Sequence, residues 1–183
     1  ALIWDVETGE ELDRLEGLSG NSLVARWSPD GSSIAVGSSN TDISIWNLMS
    51  KHKEIRYSGH AELIVDLNWS PNSQRIVSAD YGGNIRVWDA QTGEEVFSDK
   101  TVDSINSIVW SPDGDLIACV KHLDDEIKAW EIWVINPNTG QETLVVPARH
   151  FNFITKKIRY SNPRWSPDGN LLYYLGVDGR ASG

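Results

Sequence analysis

The stretch "LIVDLNWSPNSQRIVSADYGGNIRVWDAQTGEEV", Leu63 to Val96, sets four short apolar runs between clusters of turn-forming residues. "LIVDLNWS" (63–70), "RIVSAD" (75–80), "NIRVWD" (84–89) and "EEVFSD" (94–99) are rich in Val, Ile and aromatics, the composition of strands. Gly, Pro, Asn and Asp interrupt each run before three helical turns can form, and apolar residues recur at a spacing nearer two than 3.6. The first connection, Ser70-Pro71-Asn72-Ser73, has the residue order of a type I turn. Ser suits its first position, and Pro pre-sets φ at its second.

The same turn returns as Ser28-Pro29-Asp30-Gly31, Ser111-Pro112-Asp113-Gly114 and Ser166-Pro167-Asp168-Gly169. Tryptophans make the repeat measurable. Those before the turn, Trp27, Trp69, Trp110 and Trp165, are spaced by 42, 41 and 55 residues. A second set, Trp4, Trp46, Trp88 and Trp133, is spaced by 42, 42 and 45. Eight of the nine tryptophans therefore hold repeat positions, and Trp130 does not. They read as structural packing elements. A third echo, "ETGEEL", "QTGEEV" and "NTGQET", places Gly9, Gly93 and Gly140 where a left-handed turn residue joins two strands.

A period of 40–45 residues with four antiparallel strands predicts an all-β fold, a β-propeller with four-stranded blades and four blade equivalents in this chain. The segment "SGHAELIVDLNWSPNSQRIVSADYGGNIRVWDAQTGEEV" resembles a WD repeat, with Gly59-His60 at its start and Trp88-Asp89 near its end. Trp4-Asp5 and Trp46-Asn47 are equivalent pairs. The resemblance implies a structural hydrogen-bond network through His60, Ser78 and Trp88. The family's Asp position falls on Gly82, with Asp80 nearby as a substitute from a shifted place. The repeat ending at Trp46 has Asn40 there and no Gly-His pair. The fourth segment, "EIWVINPNTGQETLV" with "NPRWSPDGNLLYYL", is more similar to blades of Tol-system and prolyl-oligopeptidase propellers.

The expected blades span 18–57, 58–100 and 101–147, with a composite blade from 163–177 plus 1–15 and an insertion loop at 148–162. WD-repeat propellers usually complete one blade with strands from both chain ends, and here the ends are complementary. A closed four-bladed ring, part of a larger ring, or a unit completed by partners would each use them. Four blades must turn about 90° each, tighter than such blades usually adopt, so part of a larger propeller is favoured, with self-association completing the ring. Because the sequence opens at Ala1 directly before the strand-like "LIWDVETG", the expectation is a truncated N-terminus.

The chain has 183 residues, 40% hydrophobic and 23% charged, and carries a net charge of −10. That balance argues against a general nucleic-acid binder, which needs clustered Lys and Arg. No apolar run reaches membrane-spanning length. Cys119 is the sole cysteine, so an intrachain disulfide is excluded. A cytoplasmic location is compatible with this. There is no nucleophile elbow, paired-histidine zinc helix, phosphate loop or dinucleotide turn, so the reading is non-catalytic, without cofactor or metal. "HLDDE" (122–126) reads as a solvated turn rather than a metal site, and "NWS" at Asn68 as an inner strand rather than a glycosylation site.

Function is sought where the meter breaks. Trp110 to Trp133 spans 23 residues where other repeats have 19, and Trp133 to Trp165 spans 32 where others have 22 or 23. The longer insertion gathers Arg149, His150, Phe151, Phe153, Lys156, Lys157, Arg159 and Tyr160 in an otherwise acidic chain. Aromatics beside arginine make an interface anchor. These eight are the expected partner-binding residues of a protein-interaction scaffold. The alternatives are a sensor propeller attached to an enzyme or signalling protein, and a periplasmic Tol-like propeller.

Overall fold

The computed structural model describes residues 2–15, 20–50, 52–101, 104–123, 129–147 and 163–174. Among them there is no helix. Three four-stranded antiparallel sheets follow one another along the chain, each in simple meander order. The first holds β3 (Ser22–Trp27), β4 (Ser33–Ser38), β5 (Asp42–Asn47) and β6 (His52–Ser58). The second holds β7 (Ile64–Trp69), β8 (Arg75–Asp80), β9 (Asn84–Asp89) and β10 (Glu95–Lys100). The third holds β11 (Ser104–Trp110), β12 (Ile117–Leu123), β13 (Ala129–Asn136) and β14 (Gln141–Val146). These are propeller blades. On either side stand two-stranded sheets, β1 (Leu2–Trp4) with β2 (Glu11–Arg14), and β15 (Arg164–Trp165) with β16 (Leu172–Tyr173).

The blades stack face to face, so their second strands are apolar on both sides. Every residue of β4 is buried, as are five of six in β8. Ala35, Ile43, Ile45 and Tyr57 of the first blade meet Ile64, Leu67, Trp69 and Ile76 of the second. Val77, Ala79, Ile85 and Val87 on its other face meet Ile105, Ile108, Trp110 and Ile117 of the third. Leu15 and Ile3 cover Ile34, Val36 and Trp46, while Leu172 and Tyr174 cover Val120 and Ile132. Each fully buried side chain of this size contributes about 1.5–3 kcal/mol relative to exposure.

The inner strands β3, β7 and β11 lie beside one another. Each carries a register irregularity at the same place, at Ser22/Val24, Ile64/Asp66 and Ile105/Ser107. Such bulges bend and twist a strand, as an inner strand must at the ring's centre. The repeated turns close as expected, with Gly31 N–H donating to the Ser28 carbonyl at 2.9 Å and Gly114 N–H to that of Ser111 at 3.0 Å. Their last residue is left-handed, with φ of 74° at Gly31, 79° at Gly114 and 73° at Gly169. Ser73 adopts 60° in the second blade without glycine's freedom.

Trp46, Trp69, Trp88 and Trp110 are buried, as a packing role requires. Trp4 and Trp27 differ, each 54% exposed. Trp69 donates its Nε1–H to the Arg26 carbonyl of the preceding inner strand at 3.0 Å. The unit before Trp27 is the β1–β2 pair, whose sheet contains no inner strand to offer the same contact.

A Cβ at Gly31 would meet nothing within 4 Å, so Gly31→Ala isolates the backbone cost of the left-handed turn. It is expected to lower unfolding free energy by about 1–2 kcal/mol. An unchanged midpoint in urea denaturation would show that the turn tolerates another conformation.

Candidate interaction surface

A propeller presents two ends and a channel, and the strand order decides which connections share an end. First-to-second and third-to-fourth strand turns lie at one end, which carries the four Ser-Pro turns. Second-to-third connections and the links between blades lie at the other. Both long connections, 124–128 between β12 and β13 and 148–162 between β14 and β15, therefore leave from this second end. The eight partner-binding residues expected from sequence, Arg149, His150, Phe151, Phe153, Lys156, Lys157, Arg159 and Tyr160, lie outside the described residues. So do the three carboxylates of "HLDDE".

The feet of both insertions are described. His122, near the end of β12, packs against Trp130 of β13 with ring centroids 4.3 Å apart and the planes tilted by 51°. Trp130, the tryptophan out of meter, packs with Val120, Ile132, Val146, Leu172 and Tyr174. It thus packs between the third blade and β15–β16. On the second blade at the same end, exposed Tyr81 is bonded through its N–H to the Leu63 carbonyl at 3.0 Å.

One strand position shows how the blades differ beneath this end. In the second blade it is Ser78, which pairs with Arg86 across β8 and β9. Trp88 Nε1–H donates to Ser78 Oγ at 2.9 Å, and Ser78 Oγ lies 2.7 Å from His60 Nε2. His60 Nδ1 lies 3.0 Å from Asp80 Oδ2. Asp80 also accepts Asn84 N–H and both contacts of its amide nitrogen. Asp80 rather than residue 82 thus completes the network. One tautomer satisfies the whole chain: Ser78 O–H donates to Nε2, and Nδ1–H donates to Asp80. Gly59 permits the approach, because a Cβ there would sit 2.7 Å from the Trp88 ring.

The equivalent position in the first blade is Val36, opposite Ser44. A valine cannot accept, and Trp46 Nε1–H finds no acceptor among the described residues. In the third blade it is Cys119, opposite Trp133: Ile135 sits across from Ile117 where Trp88 sits across from Ile76, so Trp133 stands two residues before the position expected of it. Two residues beyond Cys119, the buried ammonium of Lys121 pairs with Glu142 at 2.9 Å and lies 4.6 Å from the centre of the Trp133 ring. Trp133 Nε1–H turns instead to Glu131 at 2.7 Å. Neighbouring Asp99 and burial push the Glu142 carboxyl above its usual range, against the pull of Lys121.

A carboxylate that sequence reasoning passed over binds the three blades together. Asp66, buried in the inner strand β7, accepts from Arg26 Nη2 at 2.9 Å on the first blade and from its neighbour Leu67 N–H at 3.0 Å. Its second oxygen accepts Ser107 O–H and Ile108 N–H, both at 3.1 Å, on the third blade. The available signal was an acidic residue within the apolar run "LIVDLNW", where a charge needs partners.

Residues 4–132 match the model of a β-propeller family described as nucleolar protein 10-like, N-terminal domain. Periodic tryptophan protein 2 of Arabidopsis thaliana is 26% identical over 142 residues, covering 76% of this chain and 15% of that protein. THO complex subunit 3 of the same plant is 27% identical over 142 residues, covering 75% and 42%. Protein HIR1 of Mycosarcoma maydis is 25% identical over 181 residues, covering 88% and 17%. The chain thus spans less than half the length of each of these relatives.

His60 links the buried network to pH. Burial holds its imidazole below its ordinary value despite the opposing pull of Asp80. The folded state therefore refuses a proton that an unfolded histidine accepts near pH 6.5. Its stability is complete above that value and falls as pH drops through the depressed folded value. Denaturation midpoints measured from pH 7 to pH 5 should decline for the wild type and decline less for His60→Gln. Equal slopes would place the acid sensitivity elsewhere.

Proposed function

The chain belongs to the nucleolar protein 10-like N-terminal β-propeller family, and from that premise we propose that it is a non-catalytic protein-interaction scaffold of the WD-repeat kind. The observation that carries the reading is the departure of both long connections from one end of an otherwise regular stack. A rigid body that varies its loops at one end is built to present them. The name of one relative, THO complex subunit 3, describes a component of a larger assembly, which supports the same reading.

The proposed docking residues are Arg149, Phe151, Phe153, Lys156, Lys157, Arg159 and Tyr160, with His150 adding charge when protonated. They combine planar donors and apolar area in the manner of interface anchors. The acidic balance of the chain, −10 overall, favours protein partners over nucleic acid. Among the described residues, no helix is long and apolar enough to cross a membrane. A cytoplasmic setting completes the reading, in keeping with the buried, unpaired thiol of Cys119. Self-association into a larger ring is part of it too. Exposed Leu2, Trp4 and Leu12 on one flanking unit, and Leu171 and Tyr173 on the other, support it.

The test combines Arg149→Ala, Phe151→Ala and Lys157→Ala in the full-length protein. Quantitative affinity purification should lose a stoichiometric partner by tenfold or more, with the denaturation midpoint within a few degrees of wild type. Retention of every partner at wild-type stoichiometry would refute the assignment of this loop.

A further inference from the structure

Two sheets of this molecule are half the width of the others. β1–β2 stacks on the first blade through Ile3 and Leu15, and β15–β16 stacks on the third through Leu172 and Tyr174. Their registers say which half of a blade each one is. Shifted by 42 residues, the pairs Leu2 with Arg14, Ile3 with Asp13 and Trp4 with Glu11 become Ser44 with Arg56, Ile45 with Ile55 and Trp46 with Lys53, bulge included. β1 and β2 are therefore a third and a fourth strand. Shifted back by 138 residues, Arg164 with Tyr173 and Trp165 with Leu172 fall on Arg26 with Ala35 and Trp27 with Ile34. β15 and β16 are a first and a second strand. Each half has what the other lacks.

Side chains on these flanks are exposed where the complete blades bury their counterparts. Trp4 and Trp27 are about half exposed, while Trp46 and Trp88, and Trp69 and Trp110, are buried. Tyr173 is 60% exposed at a position where Ala35 and Val77 are 0% exposed. The counterparts also show what should cover them. Trp88 and Trp69 face the blade before their own, whereas Ala35 and Val77 face the blade after. β1 and β16 each have a single hydrogen-bonded neighbour among the described strands, which leaves a sheet edge open on each flank. Both flanks therefore continue the blade-on-blade interface that the chain already makes between its own blades.

Within one chain the two halves sit on opposite flanks of three stacked blades and do not pair. We infer that a second copy of this chain supplies the missing half: β16 of one copy pairs antiparallel to β1 of the other, with Leu172 opposite Trp4 and Tyr173 opposite Ile3. The register is that of Ile34 with Trp46 and Ala35 with Ile45. In it Trp4 packs beside Leu172 against the third blade of the other copy, and Tyr173 turns to the other copy's first blade. Trp27 reaches β15 as Trp69 reaches β3, where its Nε1–H meets the Arg26 carbonyl. One arrangement thus covers Trp4, Trp27 and Tyr173 and closes both edges. Because the contact is head to tail, it is made twice and closes a two-fold ring. Three complete blades from each copy and two shared ones make eight, within the range that propellers adopt. This deepens the self-association proposed above and rests on it.

Placed cysteines test the register, since the native thiol of Cys119 is buried. Ile3→Cys and Tyr173→Cys chains, co-expressed with different tags and mildly oxidised, should form a covalent heterodimer on a non-reducing gel. Its yield should be at least tenfold that of Ile3→Cys with Leu172→Cys, where a slip of one residue puts the thiols on opposite faces. Sedimentation should find the wild type at twice the mass of one chain. Trp4→Glu with Tyr173→Glu, both exposed in the single chain, should raise the dimer Kd at least tenfold while leaving the β-sheet circular dichroism unchanged. The loop variant of Arg149, Phe151 and Lys157 should stay dimeric, so failure of the loops and failure of the seam are read separately. A monomeric wild type, equal linking in the two cysteine mixtures, or a link formed only when both cysteines sit on one chain would overturn the inference.

Discussion

One carboxylate holds the inner edge of this molecule together. Asp66 is shut away from water on β7, yet it receives donors from the blade before it, from its own blade and from the blade after it. Burial pushes its carboxyl above the ordinary value, and the donors of Ile108, Arg26, Ser107 and Leu67 offset part of that penalty. An isolated buried charge would cost several kcal/mol, so the arrangement persists only while three blades keep their spacing. Apolar packing between blades supplies the larger share of stability, but it is nondirectional. The Asp66 contacts add the direction, fixing how far one inner strand slides along the next.

The second recurring constraint sits farther out, where the third-strand tryptophan meets the second strand. Ser78, Val36 and Cys119 occupy one position and give three outcomes. Ser78 joins a closed network with His60, Asp80 and Trp88, Val36 offers the Trp46 indole no acceptor, and Cys119 is a buried thiol in a blade where Ile135 takes the tryptophan's place. A repeat that varies at its own signature position keeps its shape because the blade faces bury enough apolar surface without it. Each blade is then free to present different loops, which is what an interaction scaffold requires.

Much of this was legible in the sequence because it depends on backbone geometry. A Pro after Ser in a turn, a residue with positive φ closing it and a tryptophan at fixed distance are local demands, and the strands fall within about a residue of their expected limits. Local reading failed where partners are remote. Asp66 meets Arg26, Ser107 and Ile108 at separations of 40, 41 and 42 residues, and an Asp in a strand reads as a solvated side chain. Asp80 was visible only as a substitute, since two residues of chain displacement say little about where a carboxyl group ends in a tight turn. Trp27 carries the repeat motif but not its burial, because burial depends on the neighbouring blade rather than on the residue. The expected docking residues of the long insertion lie outside the described residues, so composition remains their only signal.

The central claim is that the blades form one cooperative body clasped at the inner strands, from whose ends function is presented. The Ile108 amide reports on that clasp, because its hydrogen is given to Asp66 of the neighbouring blade. Native-state hydrogen exchange should find it protected to nearly the free energy of global unfolding, and Asp66→Ala should lower its protection together with that of Leu67. If Ile108 exchanges like an exposed loop amide, or keeps its protection in Asp66→Ala, the blades are held by apolar packing alone and the clasp has no energetic role.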